Sequence, residues 1–376
     1  AAGDGPAPVP GGPDDPAVLL FTSGTTGQPK AAVLRHQHLT SYILSSLEPF
    51  SAGEEEATLV SVPPYHVAGV AAILSSVYVG RRIAYLQQFT PEAWIALART
   101  EAVTHAMVVP TMLRRILDVL EQEGTGLPYL RHLSYGGGRM PLQVVEQALR
   151  VLPDVDLVNA YGLTETSSTI AVLGPEDHRA AFSSDDPNVR RRLTSVGKPL
   201  PTLEVVIRDE AGVEVGPGGS GEIWVRGEQI AGEYLGLGSK LVDGWFPTRD
   251  AGFLDEDGYL FVEGRMDDVI VRGGENMSPG EIEEVLVAHP AVEEVAVIGV
   301  PDVEWGEAVV AAVVVAQGTD PSDDELADWV RSRLRSSRTP QRFVRYDELP
   351  YNETGKLLRR VLRDELAVPV APAAEG

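Results

Sequence analysis

Short apolar stretches alternate with helical patterns along the first half of the chain. AVLLF, RRIAYL and HAMVVP have the length of buried strands, whereas PEAWIALARTE and TMLRRILDVLEQE carry apolar residues at helical spacing. Such alternation is typical of strands joined by helices, and it predicts an α/β large domain in which helices flank a layered sheet. AVLLF is expected to be a buried strand that leads into a glycine-rich loop.

The pattern changes after about Val196. LEVVIRDEAGVEVGPGGSGEIWVRG has short strand patterns separated by glycine-rich turns, which predicts a β-rich subdomain at about 196–266. Residues 267–376 alternate strand and helix patterns and predict a small, separate α+β domain. Residues 1–16 are rich in glycine and proline and are expected to be a flexible leader, so the large domain is assigned to 17–266.

Charge and composition exclude several functional classes. The net charge is −24 among 376 residues, which argues against binding to nucleic acid or to anionic membranes. The chain has no cysteine, so disulfides, thiolate metal sites and cysteine nucleophiles are excluded. The apolar runs are too short to span a bilayer, and the first residues do not have the pattern of a signal peptide. A cytoplasmic enzyme is therefore expected.

The segment FTSGTTGQPK combines glycines and hydroxyl residues with a terminal lysine. Backbone N–H groups can approach phosphate oxygens where glycine removes the side chain, and a lysine can neutralise outer phosphates. Only four of the 31 basic residues are lysine, which favours a specific role for Lys30. The alternative is an ordinary turn. The phosphate-binding candidates are Thr22, Ser23, Gly24, Thr25, Thr26, Gly27 and Lys30.

A second cluster, NAYGLTETSS, places an aromatic ring, a hydroxyl and a carboxylate close together. Tyr161 can stack on a planar base, Thr164 can donate to a phosphate, and Glu165 can hold Mg²⁺ through a hard oxygen. A turn-rich strand end with Tyr161 in the core is the alternative. Upstream, SYGGGRMP places three glycines after a strand pattern, which suits the close passage of a flat ligand.

Two later segments contain further candidates. Asp250 and Arg265 belong to GWFPTRDAGFLDEDGYLFVEGRMDD, and a carboxylate such as Asp250 can accept from two ribose hydroxyls. Lys356 lies in LPYNETGKLLRR, on a turn before a basic helix, from which it can reach a reacting carboxylate. An exposed lysine at a helix start is the alternative interpretation of Lys356.

Between Phe21 and about Arg360 the chain resembles the adenylate-forming superfamily. The resemblance is carried by TSGTTGxPK, YGxTE, the GRxDD–GGEN stretch and the terminal GK. That superfamily contains acyl-CoA synthetases, adenylation domains of peptide synthetases and luciferases. The resemblance implies that ATP and a carboxylic acid form an acyl-adenylate and pyrophosphate. A mobile C-terminal domain then turns, and CoA accepts the acyl group. One alternative is that a carrier protein or an amine accepts the acyl group. Another is that the chain is an inactive nucleotide-binding remnant or subunit.

The resemblance also implies a role for each candidate residue. Lys356, Thr164, Glu165 and His66 would be catalytic, Glu165 by holding Mg²⁺ with ATP and His66 by lining the acyl pocket. A buried structural histidine is the alternative for His66. Asp267 would be the hinge. The resemblance implies that nucleotide is bound by the loop up to Lys30 together with Gly136, Gly137, Tyr161, Asp250 and Arg265. It implies that CoA is bound by Arg272, Gly273, Gly274 and Glu275.

Two departures from the superfamily pattern stand out. Arg249 occupies a position before Asp250 where members usually have glycine. Members also normally carry well over a hundred residues ahead of the phosphate loop, which here begins near residue 21. The chain is therefore expected to be a truncation, a compact member, or one half of a two-chain enzyme in which a second chain completes the large domain.

Overall fold

A computed structural model of the protein describes residues 11–23, 29–352 and 357–367. The chain divides into two compact units. We call them the N-terminal unit (Ala1–Val206 with Trp224–Thr248) and the C-terminal unit (Ile207–Ile223 with Arg249–Gly376). Residues 249–266 thus group with the C-terminal unit, and the hinge at Asp267 stays a prediction.

The strands follow one another along the chain as β1 Pro16–Ser23, β2 Pro29–Arg35, β3 Ala57–Val60, β4 Arg82–Tyr85, β5 His105–Val108, β6 His132–Gly136, β7 Asp156–Leu163, β8 Ser168–Leu173, β9 Lys198–Pro199, β10 Glu204–Arg208, β11 Gly221–Arg226, β12 Glu233–Tyr234, β13 Gly238–Ser239, β14 Phe246–Leu254, β15 Leu260–Arg265, β16 Ile270–Arg272, β17 Glu275–Met277, β18 Val292–Asp302, β19 Gly306–Val315 and β20 Arg342–Arg345. The helices are α1 His36–Ser46, α2 Val67–Val79, α3 Pro91–Thr100, α4 Pro110–Glu123, α5 Leu142–Val151, α6 Pro175–Ser183, α7 Pro187–Arg190, α8 Pro279–Val287, α9 Asp323–Arg331 and α10 Arg359–Leu366.

The N-terminal unit is built around a sheet that, in the described residues, has the order β4-β3-β5-β6-β7-β8-β9. The pairs from β4 to β7 are parallel, and β8 and β9 add antiparallel edges. Helices α2 to α5 connect consecutive parallel strands. This arrangement confirms the predicted α/β class. The strand order reverses between β3 and β5, and ligands of such sheets bind at the carboxyl ends of the strands near that reversal.

Helix α4 shows how the sequence specifies these elements. Pro110 is at its first position, where a missing N–H costs nothing, and Gly124 ends it with φ of +61°. Its buried residues recur at helical spacing, and each Leu or Ile placed in the core contributes roughly 1.5–3 kcal/mol. The buried face of α4 consists of Met112, Leu113, Ile116, Leu117 and Leu120.

Strands β1 and β2 form an antiparallel hairpin that continues into β12 and β13. The expectation that AVLLF is a buried strand is only partly right, because Leu20 is buried whereas Phe21 is 72% exposed. Successive side chains of a strand point to opposite faces, and here one face meets the core. Strand β2 was not predicted, and it separates the glycine-rich loop from helix α1.

The C-terminal unit contains a second layered structure. Its sheet has the order β17-β16-β19-β18, and β20 pairs with β19 in parallel. Alternate residues of β18 and β19 pack on opposite faces, against α8 and α9 on one side and α10 on the other. A sheet covered on both faces needs nearly continuous apolar strands, which explains the runs VAVIGV and AVVAAVVV. A separate sheet has the order β10-β11-β14-β15.

Within residues 11–23, 29–352 and 357–367, no helix has both the length and the hydropathy that crossing a membrane requires.

Candidate active site

The carboxyl ends of the parallel strands bring several predicted residues of the N-terminal unit to one edge of the sheet. The chain leaves β3 towards His66, which precedes α2, and leaves β6 at Gly136. Strand β7 runs through Tyr161 into the turn Thr164–Thr166. In an α/β sheet this edge is the usual ligand-binding region. The fold therefore collects these candidates where a nucleotide is expected.

Gly136 and Gly137 are required for different reasons. A Cβ on Gly136 would lie 2.2 Å from the carbonyl oxygen of Ala160, its partner on β7, so only glycine allows the two strands to pair. Gly137 has a φ of +80°. A Cβ at this position would lie 3.6 Å from the nearest atom, Val109 Cγ1, so space alone would allow a side chain. Its requirement is the left-handed backbone, which L side chains rarely adopt.

Lys30 and Glu165 are linked through Tyr234. The Lys30 ammonium lies 6.0 Å from the centre of the Tyr234 ring, and the Tyr234 hydroxyl donates to Glu165 Oε1 at 2.5 Å. Tyr234 is positioned because β12 pairs with β2, opposite Ala32. One tyrosine thus connects the predicted phosphate-binding cation with the predicted magnesium ligand.

Sequence reasoning did not select Tyr234. A tyrosine beside the acidic Glu233 in a two-residue strand has no local pattern that separates it from an ordinary loop residue. Its position depends on the pairing of β12 with β2, about two hundred residues earlier in the chain.

The backbone around Glu165 is held by several hydrogen bonds. The Glu165 carbonyl accepts from the N–H groups of Ala231 and Gly232 at 2.9 and 3.0 Å. Thr166 is fully buried, and its hydroxyl bridges backbone groups of Leu163 and Ser168. These contacts hold the backbone from which the Glu165 side chain extends, and the side chain itself accepts from Tyr234. A single well-placed carboxylate suits Mg²⁺, which takes most of its other ligands from phosphates and water.

The remaining candidates of the N-terminal unit lie on the hairpin of β1 and β2, on β7 and its following turn, and before α2. Thr22 pairs with Lys30 across the hairpin, and its hydroxyl donates to the Lys30 carbonyl at 3.3 Å. Tyr161 and Thr164 are half-buried. His66 is half-buried too, and its ring centre is 4.9 Å from that of Tyr65. Outside the described residues lie Gly24, Thr25, Thr26, Gly27 and Lys356, and no side chain of Ser23 is described.

In the C-terminal unit, Asp250 and Arg265 face each other across β14 and β15. Arg265 Nη1 donates to Asp250 Oδ1 at 3.0 Å. The Asp250 side chain is 6% exposed and that of Arg265 is 34% exposed. Carboxylate oxygens can each accept more than one hydrogen bond, so Asp250 beside Arg265 is a suitable acceptor for sugar hydroxyls.

The predicted CoA-binding hairpin lies at β16 and β17. Gly273 and Gly274 have φ values of +59° and +79°, as a tight turn requires. Arg272 lies over the Trp305 ring, with 5.0 Å between the guanidinium carbon and the ring centre. Glu275 is ion-paired with Arg338, whose guanidinium holds the pKa of Glu275 below its usual value. The hairpin is therefore braced by an aromatic ring and an arginine that sequence reasoning did not assign to it.

No cluster of three or more histidines, acids or cysteines suited to a metal occurs within 11–23, 29–352 and 357–367.

Comparison with known families matches both parts of the chain. The AMP-binding enzyme family matches residues 2–235, and the AMP-binding enzyme C-terminal domain matches residues 281–356. The fatty acid–[acyl-carrier-protein] ligase ScoC of Streptomyces coeruleorubidus is 36% identical over 360 residues, covering 94% of this chain and 68% of the relative. The 2-succinylbenzoate–CoA ligase of Bacillus licheniformis is 37% identical over 355 residues, covering 93% and 70%.

Solved structures give the same result. The o-succinylbenzoate CoA synthetase of Bacillus subtilis, in complex with an acyl-adenylate intermediate, superposes with a TM-score of 0.81 at 34% identity, covering 94% of this chain and 70% of that one. The same synthetase in complex with ATP and a magnesium ion gives a TM-score of 0.80 at 33% identity, covering 94% and 71%.

Proposed function

The chain belongs to the AMP-binding enzyme family, and from this we propose that it is an acyl-CoA synthetase that acts through an acyl-adenylate. In the first half-reaction a carboxylate oxygen attacks the α-phosphorus of ATP, and the bond to pyrophosphate breaks. In the second, the CoA thiol attacks the acyl carbon, AMP leaves, and the thiol proton passes to solvent. The products are acyl-CoA, AMP and pyrophosphate.

The connection from Lys30 through Tyr234 to Glu165 is the observation that carries the proposal. Adenylation brings two anions, a carboxylate and a triphosphate, within bonding distance, so their repulsion must be offset. Lys30 would neutralise outer phosphate oxygens, and Glu165 would hold the Mg²⁺ that arrives with ATP. Bound there, Mg²⁺ would polarise and neutralise the phosphates. Tyr234 would keep the cation and the carboxylate at a fixed separation.

Other residues would serve the two half-reactions in turn. Asp250, supported by Arg265, would accept from the ribose hydroxyls. Lys356 would stabilise the charge that develops during adenylation, and rotation about Asp267 would exchange Lys356 for the Arg272–Glu275 hairpin when CoA reacts. Exchanging one set of groups for another suits two reactions with different charge changes.

A carrier protein is a second candidate acceptor. The relative ScoC is named as a ligase of fatty acids to acyl-carrier protein, and its identity to this chain is close to that of the CoA ligase. An amine acceptor, or a nucleotide-binding subunit without activity of its own, are the remaining alternatives.

Exchange of labelled pyrophosphate into ATP, measured with a panel of aliphatic and aromatic acids, tests the first half-reaction. Exchange that depends on one class of acid supports adenylation, whereas ATP binding without exchange favours the inactive subunit. The second step is tested by offering CoA, a phosphopantetheinylated carrier protein and an amine to the active mixture. A product on the carrier protein alone would exclude the CoA proposal.

The variant Lys356→Ala separates the two half-reactions. We expect it to abolish exchange yet leave thioester formation from a supplied acyl-adenylate nearly intact. Lys240→Ala, which removes another of the four lysines, is the matched control. Equal loss of both half-reactions would contradict a role for Lys356 confined to adenylation.

A further inference from the structure

Arg249 has a backbone conformation that arginine rarely adopts. Its φ is +62°, in the left-handed region, at a position inside strand β14. Long side chains are uncommon there, and such outliers persist where the surroundings hold them in place. Here the Arg249 N–H donates to Glu222 Oε1 at 3.0 Å. The conformation is the one that suits glycine, yet the chain carries a long cationic side chain.

The Arg249 side chain has a defined partner. Its Nη2 lies 2.7 Å from Asp267 Oδ1, and the Arg249 side chain is 54% exposed whereas that of Asp267 is 29% exposed. Asp267 belongs to the short turn Met266–Asp268 that joins β15 to β16. The ion pair therefore ties β14, next to Asp250, to the connection between two sheets of the C-terminal unit.

The next acid of the same turn is held from the other side. Asp268 lies 3.6 Å from Arg359 and 3.8 Å from Arg363, both on α10. Arg359 in turn makes two hydrogen bonds to the Glu283 carboxylate, at 2.6 and 2.8 Å, and a third to the Val297 carbonyl at 2.7 Å. Asp268 is thereby connected to α8, α10 and β18, which form one packed body.

The two consecutive acids thus have different attachments. A rotation of the α8–α10 body about the turn would leave the contacts of Asp268 intact, because their partners move with it. The pair between Arg249 and Asp267 would change, because Arg249 lies on β14.

We propose that Arg249 is a positioning residue whose ion pair with Asp267 latches β14 to the turn Met266–Asp268, and that this latch opens when the C-terminal body rotates between the two half-reactions. The rotation is part of the proposed function, and the latch rests on it. An exposed ion pair biases such an equilibrium modestly, by about two- to fivefold in population. That range suits a contact that must form and break in each catalytic cycle.

The absence of cysteine allows a direct test. Val213, in the turn after β10, and Val303, in the turn after β18, are both exposed. Their replacement by cysteine in the full chain provides two spin-label sites and no others. Double electron–electron resonance measures the distance between the two spin labels. This distance reports the position of the β18 side of the rotating body relative to the turn after β10, whether or not the protein is catalytically active.

We expect the labelled parent to show one dominant distance, and Arg249→Gln to increase a second population about two- to fivefold. Arg249→Lys retains the cation and should restore most of the parent distribution. The double variant Arg249→Gln with Asp267→Asn should match Arg249→Gln alone. At 1 M salt, where charges are screened beyond about 3 Å, the parent should move towards Arg249→Gln.

Identical distributions in the parent and Arg249→Gln would overturn the latch, as would a failure of Arg249→Lys to restore it. Thermal melting of each variant identifies any loss of fold. Activity provides a separate arm, since Arg249→Gln should change the ratio of the adenylation and thioester rates in the same two- to fivefold range. Loss of all activity in the parent would contradict the proposed function, while the distances would still decide on the latch.

Discussion

The pair formed by Asp250 and Arg265 allows an asymmetric prediction, because its two members differ in burial. The carboxylate is 6% exposed and the guanidinium 34% exposed, at a separation of 3.0 Å. Removal of the arginine would leave a buried charge without the guanidinium that neutralises it. Removal of the carboxylate's charge would leave an arginine that water already reaches. The two variants should therefore differ in stability and in ATP affinity.

The magnitudes follow from this difference. Breaking a buried ion pair costs roughly 3–5 kcal/mol, and Arg265→Met should cost about 3 kcal/mol of unfolding free energy because Arg265 is partly solvated. Asp250→Asn preserves the shape of the side chain and should cost about 1 kcal/mol. The same variant weakens hydrogen bonds to the ribose, which are worth about 1.5–3 kcal/mol when the acceptor is charged. ATP affinity should thus fall about 10- to 150-fold.

Urea denaturation followed by tryptophan fluorescence measures the first quantity, and calorimetric titration with ATP measures the second. Arg82→Met is the matched control, because it removes the exposed pair of Arg82 with Glu101 and should change neither quantity appreciably. A greater loss of stability in Asp250→Asn than in Arg265→Met would refute the argument from burial. An ATP affinity within threefold of the parent would refute the role of Asp250 in binding ribose.

Two further predictions concern stability. Gly136→Ala should lower the free energy of unfolding by about 3 kcal/mol, because the added Cβ would lie 2.2 Å from a backbone oxygen. Gly138→Ala is the control: its Cβ would lie 3.6 Å from the nearest atom, and it should change the free energy of unfolding by no more than about 0.5 kcal/mol. Equal losses of stability in urea denaturation would refute the steric argument. Burial, with the nearby Arg81 and His132 as smaller causes, lowers the pKa of His105 to about 4 from 6.5, so the unfolded chain binds the extra proton first. The stabilisation from neutral His105 is full above pH 6.5 and is lost as pH falls from 6.5 to about 4, by up to about 3 kcal/mol. Replacing His105 by Asn should flatten this pH dependence in urea titrations, and an unchanged slope would contradict the assignment.

Local patterns predicted parallel strands and helices of the N-terminal unit well, including β4, β5, α3 and α4. Where a strand lies inside a parallel sheet or a helix buries one face, the apolar spacing carries most of the information, as in Leu113, Ile116 and Leu120 of α4. The structure then explains why candidates that follow β3, β6 and β7 lie at one edge, because the carboxyl ends of parallel strands meet there regardless of loop sequence. The resemblance then supplied the expected role of residues such as Glu165, which the local pattern alone had left open.

Contacts between distant segments were not predictable in the same way. Tyr234 acquires its place from the pairing of a two-residue strand with β2, and Trp305 lies beside Gly273 because β16 pairs with β19. Neither pairing has a periodic signal in the sequence. The exposure of Phe21 was missed for a related reason, since a short apolar run does not reveal which of its faces meets the core.

Two ion pairs use arginine in a way that lysine cannot reproduce. Arg35 donates through Nε and Nη2 to both oxygens of Glu233, at 2.9 and 2.8 Å, and Arg359 contacts both oxygens of Glu283 in a similar way. A planar guanidinium suits such forked pairs, whereas an ammonium is a compact point charge on a flexible stem. The Arg35–Glu233 pair also clamps β2 to β12, next to Tyr234. An arginine pair therefore holds the two strands together, and the Lys30 ammonium lies near the ring of the neighbouring Tyr234.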